Sequence, residues 1–315
     1  MASGQASAED EISWALEGKS VRYHIQTDII SPLAITLRAK ENIEFRTNRM
    51  QTFLDTRCEV EAPRGKKAWQ LRCSLDQVAV RADILTGNAQ NASRILTEWS
   101  SVLQGSSVQV VLTRDGQVRS TDLETGELRN RRENEIHSNM EMMLSRAFTG
   151  LDFQLPKNGT DEGAGGWKVR NANTMATPSV SGSLGAVRGE ALIEHRQGDD
   201  LTIGVNARGV RQTGSTIIGL VGIVYAMTLT DRAVFSTADR MLVARRYAVH
   251  GTPTASTAAS DGVRYVQQGV VDRLDESTVL VLADTAPQAI REWFGPEAVR
   301  PVLHVTDADG EEDGT

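Results

Sequence analysis

The sequence predicts an α+β protein in which a large curved antiparallel β-sheet, similar to half of a barrel, carries two amphipathic helices on one face. Apolar and polar side chains alternate along most of the chain, which is typical of strands with one buried face. Two segments in the first half have the helical period instead. Short turns join many of the strands, which favours antiparallel neighbours. We expect the helices to cover the concave face of the sheet.

Composition limits the domain organisation and the partners. A chain of 315 residues is long enough for one large β domain or two ordinary ones. The net charge of −7 does not favour a nucleic-acid partner, which usually requires a basic face. The most apolar stretch, residues 215–230, is too short to cross a bilayer as a helix and is rich in β-branched residues, so we predict a buried strand and no transmembrane segment.

We predict one folded domain between two unstructured ends. The segments are a flexible start at residues 1–17, a single β-rich domain at 18–305 and a disordered acidic tail at 306–315. Within the domain, a Gly-rich loop at 157–166 separates an N-terminal half, 18–156, from a C-terminal β half, 167–305. Trp14 and Leu16 are apolar side chains in the first segment that are expected to dock on the domain.

The first predicted strand covers residues 20–28. Val21, Tyr23 and Ile25 alternate with polar residues, among them His24, which places His24 on a solvent-facing side. The same alternation over residues 35–45 predicts a second strand.

The two cysteines are predicted to face each other across a β-hairpin at residues 52–80. Gly65 suits the first central position of a type II′ turn at residues 64–67. Closing that turn places Cys58 opposite Cys73, at a Cα separation of about 5.5 Å that lies within disulfide reach. The alternative is a pair of free core cysteines. A change of apolar parity after Leu75 predicts a β-bulge near residues 76–77.

A disulfide favours an oxidising compartment. The first residues, MASGQASAEDE, lack the basic and apolar regions of a signal peptide. We therefore expect a periplasmic or extracellular protein whose signal peptide has been removed. The alternative is a cytosolic protein with free thiols.

Helical periodicity occurs at residues 92–104 and 131–149. In the second segment one face carries Ile136, Met140, Met143, Leu144, Ala147 and Phe148. After the Gly-rich loop the pattern is again that of strands. The predicted strands are 191–197, 201–207, 217–229, 233–236, 241–250, 263–273 and 279–283, followed by a short helix at 287–294.

No motif for catalysis is present. None of the five histidines stands at metal-ligand spacing with another His, Cys or carboxylate, and the sequence holds neither GxSxG nor a phosphate-binding loop. His195, like His24, occupies a solvent-facing strand position. We predict a non-enzymatic protein and assign no catalytic residue, cofactor or metal.

Two apolar surfaces suggest ligand binding. The methionine-rich helix face is adaptable, as ligand-facing surfaces often are. The strand at 217–229 carries glycines that open space beside branched side chains. The predicted lining residues for a lipid, a hydrophobic small molecule or a lipoprotein are Met140, Met143, Leu144, Phe148, Ile217, Leu220 and Val224. The alternative is a filled core, which would make the protein a structural or protein-interaction module. No pattern in the sequence sets an oligomeric state.

Three motifs carry a resemblance to a group of proteins. They are the hairpin VQVVLTRDGQVRSTD, the helix end LSRAFTGLDFQLP followed by a Gly-rich loop and GGWKV, and the hairpin AVFSTADRMLVARRYAV. Together they resemble uncharacterised exported bacterial β-rich proteins of myxobacterial type, often lipoproteins. Such chains are similar in outline to the half-barrel of lipoprotein carriers such as LolA. The resemblance implies export and no catalytic residue, although the first residues lack a lipobox cysteine.

Overall fold

The computed structural model describes residues 12–38, 44–61, 68–124, 131–156, 166–171, 187–213, 223–254 and 265–274. The turn predicted at 64–67, the strand at 279–283 and the helix at 287–294 lie outside these residues, as do Ile217 and Leu220.

Among the described residues, one open sheet of eleven antiparallel strands dominates, with two helices, which confirms the predicted α+β class with a curved sheet. The spatial order of the strands is β5-β4-β3-β2-β1-β11-β10-β9-β8-β7-β6. The strands are β1 Ser20–Arg38, β2 Glu44–Glu61, β3 Ala68–Thr86, β4 Ser107–Thr113, β5 Val118–Glu124, β6 Gly166–Asn171, β7 Val187–Gln197, β8 Asp200–Thr213, β9 Ile223–Ser236, β10 Met241–Pro253 and β11 Tyr265–Leu274. The helices are α1 Ala89–Leu103 and α2 Arg131–Phe148, and a short 3-10 turn, Thr149–Leu151, follows α2.

Two predicted strand boundaries are wrong. Residues 35–45 do not form one strand, because β1 ends at Arg38 and β2 begins at Glu44, with Leu37 opposite Phe45. The apolar alternation continues on both sides of the reversal and therefore does not mark it. The predicted break between 217–229 and 233–236 is also absent, since β9 runs unbroken from Ile223 to Ser236. Asp231 lies in the gap between the two predicted strands, yet it is buried within β9.

The apolar residues of the helices and of the concave sheet face form one cluster. In α1 the buried stripe consists of Ala92, Ile95, Leu96, Trp99 and Leu103, as the sequence period requires. The first turn of α1 is capped by Asn88, whose side-chain oxygen accepts a hydrogen bond from the Asn91 backbone N–H at 3.0 Å.

The end of α2 lies directly on the sheet at Gly150. A Cβ at this position would approach Val271 Cγ2 to 2.8 Å and Ile25 Cγ2 to 3.3 Å. Only glycine therefore allows the 3-10 turn to contact β1 and β11 this closely.

Residues 12–16 close one end of the concave face. Ile12, Trp14 and Leu16 are buried, and the Trp14 ring meets the edge of Phe235 with centroids 5.6 Å apart. The Ala15 N–H donates to the Arg240 carbonyl in the β9–β10 turn at 3.1 Å. The part of the first segment that the structure describes is therefore packed on the domain.

The segment after the 3-10 turn links the two outer regions of the sheet. The Phe153 N–H donates to the Gly116 carbonyl in the β4–β5 turn at 3.1 Å. Gln154 accepts a 2.8 Å hydrogen bond from the Arg170 N–H, and the Gln117 side chain donates to the Arg170 carbonyl at 2.8 Å. These contacts satisfy the backbone N–H and carbonyl of Arg170 on β6, the last strand in the order, which would otherwise be open to strand pairing.

The predicted disulfide and its register are confirmed. Cys58 pairs with Cys73 in the β2–β3 ladder and the two are bonded, with both side chains fully buried in the concave core. The ladder register shifts where Asp55 is opposite Gln77 and Thr56 is opposite Leu75, so the extra residue of the predicted bulge is Asp76. The disulfide indicates an oxidising compartment outside the cytoplasm.

The disulfide gives a first testable prediction. Thiol titration of the denatured, unreduced protein should detect no free thiol, and the Cys58→Ser/Cys73→Ser variant should lose about 3 kcal/mol of unfolding free energy, because the bond closes a loop with a sequence separation of 15. Denaturant unfolding measures the loss. Two reactive thiols in protein from an oxidising compartment would contradict the prediction.

Candidate functional site at the interface of α2 and the sheet

The structure places four of the predicted lining residues on one buried surface. Met140, Met143, Leu144 and Phe148 lie on α2 and belong to the concave core. Val224 lies in β9, but its side chain is not among those the structure describes. The predicted juxtaposition of the helix with residues 217–224 therefore stays a prediction.

The interface of α2 with the sheet is closely packed. Met143 is 1% exposed, and Leu144 and Phe148 are fully buried, so protein atoms surround these side chains. The helix lies against β5, β1 and β2. On the β5 side, Glu141 Oε1 accepts a hydrogen bond from the Leu123 N–H at 3.4 Å. A ligand at this surface has to separate α2 from the sheet, because the described side chains leave no space for one.

A buried arginine attaches the C-terminal end of α2 to the sheet. Arg245, on β10, donates from Nη1 to the carbonyls of Thr149 at 3.1 Å and Gly150 at 2.7 Å. Its Nε lies 3.0 Å from both carboxylate oxygens of Asp231 on β9, and its Nη2 lies 2.6 Å from Asp231 Oδ2. One guanidinium thus binds a carboxylate and two of the carbonyls that follow the helix.

Polar groups around Arg245 extend the network. Tyr247 places its ring 4.6 Å from the Arg245 guanidinium carbon. Gln267 Nε2 donates to Thr149 Oγ1 at 3.0 Å, and the Tyr265 hydroxyl donates to Gln267 Oε1 at 2.7 Å. We call Arg245, Asp231, Tyr247, Gln267 and Thr149 the buried polar cluster. Its hydrogen bonds fix the position of the 3-10 turn against β10 and β11.

Burial controls the ionisation of this region. Desolvation raises the pKa of Asp231, and the charge and hydrogen bonds of Arg245 oppose that rise. Burial also raises the pKa of Tyr247, again opposed by the Arg245 charge. On α2, burial lowers the pKa of the Arg146 guanidinium, and the phenol of Tyr265 opposes this. In the Arg245–Asp231 ion pair, burial disfavours the charged form of both side chains, and each charge stabilises the other.

The sequence analysis missed the buried polar cluster, although a signal was present. Arg245 has the same strand parity as Tyr247 and Val249, and Asp231 has the same parity as Leu229 and Ala233. Charged residues at core-facing positions on two neighbouring strands indicate a buried pair. The break predicted between the strands at 217–229 and 233–236 hid this pattern.

The histidines give a mixed result. His195 is exposed, in agreement with its predicted position. The prediction that His24 faces solvent is wrong, because its side chain is 6% exposed. Alternation identified the face of the strand correctly, but it gave no information on whether that face is covered.

Among the residues that the structure describes, no group of three His, Cys, Asp or Glu side chains is suitable for a metal ion.

Two comparisons with known proteins found no relative. No protein-family model matches the chain, and no curated protein matches it. In the described part of the chain, neither helix has the length and hydropathy needed to span a bilayer.

Proposed function

We propose that this chain is a non-enzymatic protein of the cell envelope, periplasmic or secreted, that holds a hydrophobic ligand between the concave sheet face and α2. The ligand classes are a lipid, a hydrophobic small molecule or the acyl part of a lipoprotein. The observation that carries the proposal is a curved sheet whose apolar concave face is covered by a methionine-bearing helix.

The polar attachment of α2 suits such a role. Arg245 holds the carbonyls directly after the helix, whereas Met140, Met143 and Leu144 lie in the apolar cluster shared with the sheet. Unbranched methionine side chains repack at low cost when a surface changes its partner. The helix therefore has one fixed end and an apolar face that a lipid chain can contact in place of the sheet.

A probe titration tests the proposal. Delipidated protein is titrated with cis-parinaric acid, a fluorescent fatty acid, and an unlabelled long-chain fatty acid is added as competitor. We expect saturable fluorescence with one site per chain and full displacement by the competitor. Binding that stays linear with probe concentration in folded protein would contradict the proposal.

The near-zero exposure of Met143, Leu144 and Phe148 without a ligand favours a second candidate. In this case the interface is a filled core, and the protein is a structural or protein-interaction module. Lipid binding by the folded protein distinguishes the two candidate functions, because a filled core binds no lipid while the protein remains folded.

A further inference from the structure

Three arginines lie side by side on the convex face of the sheet, the face opposite the helices. Arg170 on β6 is opposite Arg188 on β7, and Arg188 is opposite Arg208 on β8. All three are exposed. Their strand neighbours Val169 and Ala207 belong to the concave core, so the arginines face the other way. We call Arg170, Arg188 and Arg208 the arginine row.

The arginine row has no countercharge in the part of the chain that the structure describes. No described carboxylate forms an ion pair with any of its members. The next row along the same face holds Lys168 opposite Glu190, whose charges offset each other. Three positive charges therefore remain on adjacent strands, with Cβ atoms of opposed residues about 5 Å apart. Like charges directly opposite each other destabilise a sheet.

Two nearby arginines on the same face are paired within the sheet. Arg232 Nε on β9 lies 2.9 Å from Glu194 Oε2 on β7. Arg246 Nη1 on β10 lies 2.7 Å from Asp272 Oδ1 on β11. The strands around the arginine row can thus place carboxylates beside arginines, and they do not do so for the row. An external anion that binds the row would offset its repulsion.

Exposed apolar side chains flank the arginine row. Val210 is 59% exposed and lies two residues beyond Arg208 on the same face of β8, opposite the exposed Ala226. On the other side of the row, Leu192 on β7 is 51% exposed. Its Cδ2 atom lies over Gly166, where a Cβ would approach it to 2.5 Å. One surface therefore offers both cationic and apolar contacts.

We infer that the arginine row and its apolar flanks bind the surface of an anionic membrane, whose lipid phosphates supply the missing countercharge. A guanidinium binds a phosphate through two parallel hydrogen bonds, which suits arginine better than lysine. Leu192 and Val210 then contact the boundary between headgroups and acyl chains. A soluble polyanion would contact the arginines and leave both apolar side chains in water. The surface is on the opposite face from the concave core, so this inference does not depend on the proposed ligand.

Vesicle flotation of the full chain tests the inference. Wild type should float with vesicles made from equal parts of phosphatidylcholine and phosphatidylglycerol, and it should be released in about 1 M NaCl, where the screening length is ~3 Å. Replacing the whole arginine row with glutamine should lower binding about a hundredfold, at roughly fivefold for each arginine near an anionic surface. No binding by wild type, or equal binding by the row variant, would overturn the inference.

A matched control makes the same change of net charge away from β6–β8. It replaces three exposed arginines of β2, β3 and α1, namely Arg57→Gln, Arg72→Gln and Arg94→Gln. This variant should bind the vesicles nearly as well as wild type, because a membrane contact depends on local charge. A loss as large as that of the row variant would overturn the inference, since net charge alone would then explain binding.

A second variant separates a membrane from a soluble polyanion. Leu192→Ser/Val210→Ser keeps every charge and should lower vesicle binding by roughly fivefold or more through lost apolar contact. Its retention on heparin should equal that of wild type. Heparin binding by wild type without vesicle binding would overturn the membrane assignment. Both variants change exposed side chains, so each should melt like wild type and bind cis-parinaric acid as wild type does.

Discussion

Replacing Arg245 with methionine should lower the unfolding free energy by about 3–5 kcal/mol. The substitution leaves the buried Asp231 carboxylate without its countercharge and leaves the Thr149 and Gly150 carbonyls without their donor. Denaturant unfolding monitored by fluorescence measures the change. The double variant Arg245→Met/Asp231→Leu should regain most of the loss, because it removes both charges and keeps apolar volume.

An exposed ion pair provides the matched control. Arg232 and Glu194 lie 2.9 Å apart with side-chain exposures of 43% and 41%, so Arg232→Met should cost less than about 1 kcal/mol. Equal losses for Arg232→Met and Arg245→Met would contradict the account of the buried polar cluster.

The Arg245→Met loss should also depend on pH. Burial raises the pKa of Asp231, and removing Arg245 removes the interactions that oppose this rise. The folded variant then binds a proton that the unfolded chain releases, so its stability falls as the pH rises through the folded pKa. The difference in unfolding free energy between wild type and Arg245→Met should be larger at about pH 7 than at about pH 5. A difference that grows on acidification would have the wrong sign.

Replacing Met143 with alanine should cost about 2–5 kcal/mol in ligand-free protein. Met143 is 1% exposed within the concave core, so the substitution removes buried apolar surface and leaves a cavity between α2 and the sheet. The unfolding free energy and the amount of bound lipid are measured on the same samples. A carrier should also retain less lipid after this change, because the side chain contacts the ligand in the open form.

An exposed apolar residue of the other helix serves as control for Met143→Ala. Val102 on α1 is 52% exposed, and Val102→Ala should change the unfolding free energy by no more than about 0.5 kcal/mol. If Met143→Ala has an effect as small as Val102→Ala, α2 is not packed on the sheet as described.

The cystine hairpin was predictable from the sequence because two independent patterns agree on one register. The turn predicted at Gly65 and the apolar parity both place Cys58 opposite Cys73, and the parity change after Leu75 marks the bulge. The buried stripes of α1 and α2 follow in the same way from the helical period. In the hairpin and the two helices, the local sequence pattern and the tertiary packing favour the same conformation.

Other features depend on contacts that are distant in sequence. Arg245 binds the carbonyls of residues 149 and 150, with sequence separations of 96 and 95. The periodicity of apolar residues along the sequence does not predict a contact between residues so far apart. His24 alternates as a surface residue does, and only its 6% exposure in the folded protein shows that this position is buried. The reversal between β1 and β2 was missed because the strand pattern is unchanged across it.

The central claim is that α2 and the concave sheet face hold a hydrophobic ligand. Native mass spectrometry of the protein purified from its own host tests this most directly, with wild type and Met143→Ala compared. The account predicts a noncovalent lipid adduct on wild type that organic extraction removes, with lower occupancy in Met143→Ala. Wild-type protein at its bare mass, together with a large stability loss and no adduct in Met143→Ala, would contradict the claim and identify the interface as a filled core.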